Sequence, residues 1–204
     1  MGKSLSARDD ADRNTLGLGL GFDILFRKSS FMHRSIGNII ADTLELSLGY
    51  SERLLSGISP ERFSRFADVG GVIIHSNHPC FIYGHLSLYA PRVTEQLGQS
   101  AIAVSDRFSK VFSKDSICVD DPSSDYYPPF MEVISFFRDS YRQSVAALRA
   151  SSDSLLDQPN PSAGRMAELF PTLGSLHNFY CGGHIMSHLG QLSAWRRMER
   201  LGSV

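Results

Sequence analysis

Near the C-terminus the chain reads H-I-M-S-H-L-G-Q-L-S-A-W-R-R, residues 184 to 197. On a helix, residues i and i+4 lie one above the other with Cβ atoms ~5–6 Å apart. His184 and His188 so placed can aim nitrogens at one cation, each with a bond of ~2.0–2.1 Å to a metal such as zinc. Alone, H-x-x-x-H is more often packing or capping than ligation. Gly190 removes a side chain just beyond His188, leaving room for a neighbouring backbone or a ligand. Gln191, on the face of His188, can hydrogen-bond an imidazole or a bound water and orient it. A pair is still an incomplete site, so a further ligand must come from another helix. His85, in N-H-P-C-F-I-Y-G-H-L (residues 77–86), lies between Ile82 and Tyr89 on an apolar stripe. An imidazole buried there needs a partner on each nitrogen. A metal plus one hydrogen bond would supply both, and a satisfied core histidine is the alternative.

Cys181 is the rival ligand. Successive helical residues turn ~100°, which puts His177, Cys181, His184 and His188 on one stripe. At 1.5 Å of rise per residue, His177 lies ~16 Å from His188, too far to share a small cation. Cys181 lies only ~4.5 Å along the axis from His184, so a softer, zinc-preferring Cys181–His184 pair is sterically allowed.

Helices must position these side chains, and the apolar period predicts four. The first spans Ser29 to Leu55, with Ile36, Ile40, Leu44 and Leu48 at four-residue spacing and Ile39 beside them. Gly57 and Pro60 end it, and P-E-R-F-S-R-F reads as a short helical turn. The second starts at Asn77 as N-cap with Pro79 in its first turn. Its stripe is Ile82, Leu86, Tyr89, Val93 and Leu97, with a kink expected at Pro91. Residues 98–128 have no convincing period and read as a long surface link near the site. The third helix follows Pro129 on Phe130, Val133, Ile134, Phe137, Tyr141 and Leu148. The fourth runs from Thr172 as N-cap to Leu201. V-G-G-V-I-I-H is the only competing strand signal.

Two short links and one long one imply an all-α, four-helix bundle with a long crossover between helices two and three. Helices two and three would then run the same way, and helices two and four antiparallel. We expect a flexible N-terminal arm over residues 1–21 and a single domain over 22–204.

The chain of 204 residues is 42% hydrophobic, enough for one sizeable core, and its 20 basic and 21 acidic residues leave a net charge of −1. That balance argues against an electrostatic nucleic-acid binder. The basic run W-R-R-M-E-R (195–200) reads as a solvated helix end. Cys80, Cys118 and Cys181 are odd in number and lack a CxxC pair, so no disulfide framework is expected. No signal peptide and no apolar run of the ~20 residues that span a bilayer stand out, which predicts a cytoplasmic setting away from membranes.

N77-H-P-C-F-I-Y-G-H-L86 resembles the second helix of the DinB/YfiT-like proteins, and H184-x-x-x-H-x-G-Q191 followed by W-R-R resembles their last. The resemblance covers roughly Ser29 to Leu201. It implies a four-helix bundle with a metal held by one histidine of helix two and two of the last helix, which match His85, His184 and His188. Phe81 stands where the family commonly has Trp. The pattern favours His188 over Cys181, which should then be a buried thiol outside the ligand set, with His177 and His78 also excluded. The link over 98–128 is longer than in smaller members.

An open three-histidine site favours chemistry over a closed structural role. Characterised members of the resembled family include thiol-dependent transferases and isomerases. The expectation is a metal-dependent enzyme binding zinc or nickel, together with a low-molecular-weight thiol and a small-molecule substrate. Gln191 would orient a ligand, and the acid–base group is unassigned. A metal-dependent hydrolase and a non-catalytic, stress-related metal- or ligand-binding bundle are the alternatives, and a homodimer is an open expectation.

Overall fold

The computed structural model describes residues 34–204. The predicted arm over 1–21 and the start of the first predicted helix lie outside them. The described chain is mostly helical, with one small two-stranded sheet.

Helix α1 (Ile36–Leu55) begins where the Ser35 side chain accepts the Asn38 N–H. Its buried face is Gly37, Ile40, Ala41, Leu44, Ser47, Ser51 and Leu54. A strict four-residue spacing drifts ~40° per step against a 3.6-residue turn. Ile36 and Leu48 accordingly fall at the edges of that face, and Ile39 is 53% exposed. Pro60–Phe63 forms the short helix α2.

Strands β1 (Ala67–Val69) and β2 (Val72–Ile74) then pair antiparallel around Gly70 and Gly71, both at positive φ. A two-residue Gly-Gly loop is a preferred connection for a tight hairpin. The all-helical expectation is corrected here. Each strand has only three residues, too few to display an alternating pattern.

The second helical rod is α3 (Pro79–Ser87) followed by α4 (Tyr89–Gln96). Its N-cap is His78, not Asn77: the His78 Nδ1 accepts the Phe81 N–H. A residue before proline is held in extended backbone, which is N-cap geometry, so Pro79 forces the cap onto its neighbour. The break at Leu88 follows from Pro91, which has no N–H to offer the Ser87 carbonyl.

The 98–128 link is not only surface. It contains α5 (Asp106–Phe112), capped by Ser105, and buries Phe108, Val111, Phe112 and Tyr127 in the core. Seven residues were too few for a legible period. The buried Asp121 carboxylate accepts the N–H groups of Asp125, Tyr126 and Tyr127, tightening the end of the link.

Helix α6 (Phe130–Ala150) follows, then the short helices α7 (Asp153–Leu156) and α8 (Arg165–Leu169). The last rod has three parts: α9 (Leu173–Asn178), a π-helical turn over Phe179–His184, and α10 (Ile185–Met198). Thr172 and Ser175 form a reciprocal cap at its start.

Side-chain pairs fix the rod directions. Glu52 meets Arg138 while Glu45 and Asn38 meet Arg149, so α1 and α6 are antiparallel. Tyr83 packs on Phe137, and the Leu86 and Ala90 carbonyls accept from Tyr141 and Ser144. The second and third rods therefore run the same way. Asn77 meets Gln191, His85 meets His188 and Tyr89 meets Tyr180, which makes the second and last rods antiparallel.

The basic run 195–200 departs from the solvated reading at its start. Trp195 is buried and its indole N–H donates to the Arg65 carbonyl. Arg196 is 3% exposed and its guanidinium donates to the Leu54 and Ser56 carbonyls, capping the C-terminus of α1. Arg197 and Arg200 do face solvent. No helix among the described residues is long and apolar enough to cross a membrane.

Candidate metal centre

The antiparallel rods bring His85 of α3 against His184 and His188. One ligand atom from each of the three lies within 4.8 Å of the others. The rings are 4.9 Å apart for His85–His188, 5.6 Å for His85–His184 and 4.8 Å for His184–His188, between centroids. Phe81 stacks parallel to His85, and Tyr89 packs 4.4 Å from His184.

Hydrogen bonds assign two tautomers. His85 Nδ1 is 2.8 Å from the Phe112 carbonyl oxygen. A carbonyl only accepts, so Nδ1 carries the proton and Nε2 keeps its lone pair. Gly84 makes this contact possible, because a Cβ there would collide with the Phe112 ring. His188 Nδ1 lies 3.2 Å from the Gln191 Oε1, which with the amide in this orientation places the ring proton on Nδ1. His184 differs: its Nδ1 is buried with no hydrogen-bond partner.

Burial disfavours the charged form of all three imidazoles. It is the largest cause that lowers the His184 pKa, to about 3, with His188 and His85 adding to it. Burial likewise lowers His85, against the Phe112 hydrogen bond, and His188, where the His85 charge adds to it. Neutral imidazole is the form that ligates a cation. Three neutral donors, two with an assigned free lone pair and one with an orphaned buried nitrogen, fit a divalent ion.

The excluded residues stand apart from this group. Cys181 is wholly buried in the π-helical turn, and burial pushes its thiol up to about 12. The wider turn also breaks the 3.6-residue stripe on which Cys181 and His184 were aligned. His78 is occupied at both nitrogens, by the Phe81 N–H and the Val119 carbonyl. His177 is buried with neither nitrogen hydrogen-bonded. At Gly190 an added side chain would meet nothing within 4 Å, so no neighbouring backbone uses the space it leaves.

Two parts of the site escaped the sequence. The Phe112 carbonyl comes from a link with no period to reveal it. Asn77, freed from capping by His78, donates from Nδ2 to the Gln191 Oε1 at 3.0 Å. The H-P pair that follows it was the available signal.

No family model, curated protein or solved structure matches the chain.

Proposed function

We propose that His85, His184 and His188 hold one divalent cation, zinc or nickel, in a four-helix bundle of the DinB/YfiT-like type. The protein is then a metal-dependent enzyme, a transferase that uses a low-molecular-weight thiol. The observation that carries this reading is the convergence of three ligand atoms within 4.8 Å, from residues up to 103 positions apart. The parallel second and third rods support the bundle type, as does the antiparallel pairing of the second and last.

When bound, the cation supplies Lewis acidity, polarising a carbonyl or lowering the pKa of a thiol. The chain's own groups hold and orient: the Phe112 carbonyl fixes His85, Gln191 orients His188, Phe81 stacks on His85 and Tyr89 packs on His184. The thiol must come from outside. Burial raises Cys181 to about 12 and Cys118 to about 11, and lifts Cys80 well above the ordinary thiol range. Thiolate is the nucleophile, so burial disfavours the reactive form of these side chains near neutral pH. Among the described residues no carboxylate joins the histidines, which favours thiol transfer over a hydrolase that needs a nearby general base.

Metal analysis of untagged protein, then a screen of small thiols against electrophiles, tests the reading. Stoichiometric metal with thiol-dependent turnover supports it. Metal without turnover on any pair would leave a binding bundle, and protein that cannot be loaded with zinc or nickel would make the histidines packing residues.

A further inference from the structure

Gln191 ends in an amide whose two sides have nearly the same shape and opposite hydrogen-bonding character. Its Oε1 is 3.2 Å from His188 Nδ1 and 3.0 Å from Asn77 Nδ2. Asn77 presents its Nδ2 to Gln191, and an amide nitrogen only donates, so in this orientation Asn77 is satisfied when Gln191 presents oxygen. The same oxygen then obliges His188 to carry its proton on Nδ1 and leaves the ring Nε2 with a lone pair. With the amide reversed, Gln191 would donate to His188 Nδ1. The ring proton would move to Nε2, and the lone pair needed for a cation would be lost from that side.

The backbone just after Asn77 is held in place. Pro79 holds His78 extended, and both ring nitrogens of His78 are engaged, one by Phe81 and one by Val119. The tautomer of His85, in contrast, is set by a backbone carbonyl that cannot reverse. His188 is thus the ligand whose competence depends on a side-chain orientation.

We propose that Asn77 is a positioning residue: it locks the Gln191 amide and, through it, the His188 tautomer that can bind a cation. The tautomer coupling is independent of any metal, and only its consequence for affinity rests on the metal reading above.

The test is long-range proton–nitrogen NMR of the imidazoles in metal-free, nitrogen-15-labelled protein, followed by zinc titration. Wild-type His188 is expected with its proton on Nδ1. Asn77→Asp replaces the donor by an acceptor, reverses Gln191 and should move the His188 proton to Nε2, with His85 signals unchanged. Zinc affinity should then fall about 10- to 100-fold, as for other partners of metal-binding histidines. Added negative charge alone would raise it, so the sign separates the two effects. Asn77→Ala should give mixed tautomers, and adding Gln191→Glu, whose carboxylate only accepts, should restore Nδ1–H. An unchanged His188 tautomer in Asn77→Asp overturns the proposal. If the tautomer moves as expected but wild-type protein binds neither zinc nor nickel, the metal reading fails and the coupling stands.

Discussion

An imidazole offers a cation a lone pair only on the nitrogen that carries no proton, so each ligand is a matter of tautomer as well as place. His85 and His188 have that choice made by the Phe112 carbonyl and the Gln191 Oε1. His184 has no protein partner on its buried Nδ1, and an unmet buried polar group costs ~1–3 kcal/mol. Replacing a candidate ligand removes a whole donor. His85→Ala or His188→Ala should lower bound metal by an order of magnitude or more, read by elemental analysis, with the far-ultraviolet circular dichroism retained. Cys181→Ser provides the contrast. Cys181 stands outside the group whose ligand atoms converge, so zinc affinity should stay within a few-fold of wild type. A tenfold loss would bring the sulfur into the ligand set.

Elements decide how closely those residues meet. Gly84 sits directly before His85 and admits the Phe112 ring of α5 against α3. The close approach places the Phe112 carbonyl 2.8 Å from His85 Nδ1. Gly84→Ala would push α5 away, at about 1–3 kcal/mol of overpacking. Chemical denaturation should show that loss, and zinc titration should show weaker binding beyond it, because His85 loses its acceptor. Unchanged affinity in a destabilised protein would show that the carbonyl does not govern the ring. The π-helical turn over Phe179–His184 works at the same level. Such turns are often found at functional sites, and here the wider turn ends at a candidate ligand.

Across the whole molecule, buried neutral histidines tie stability to pH. Burial lowers both His78 and His177 from 6.5 to about 4. Between those values the unfolded chain takes up protons that the folded chain refuses, so stability falls as pH drops from about 6.5 to about 4. Each such histidine contributes a slope of about 1.4 kcal/mol per pH unit in that window. Above pH 6.5 and below pH 4 these two groups add no slope. Urea denaturation at intervals from pH 7.5 to pH 4 should show the decline. His177→Leu should remove about one proton's share of it. The same variant should gain on the order of 1 kcal/mol at neutral pH, because the wild-type imidazole leaves both nitrogens unmet. A variant with the wild-type acid slope would show that His177 is not the refused proton.

The sequence by itself determined the long helices and the histidines most able to meet. Apolar residues recurring with the helical turn announce a rod wherever the rod is long, as in α1 and α6, and proline positions mark its caps and breaks. The i, i+4 pair His184 and His188 is a local relation, legible without a partner. Tertiary structure alone decided what each ring faces. The Phe112 carbonyl and Asn77 come from segments far along the chain, and neither a backbone oxygen nor a displaced cap has a periodic signature. Short elements were also beyond reach, since the three-residue strands and the seven-residue α5 owe their form to the core they enter. Arg196 makes the same point. Its charge reads as solvent in sequence, yet the end of α1 supplies it with buried carbonyls. Local pattern reports the backbone, whereas the pairing of polar groups depends on which distant surfaces the fold brings together.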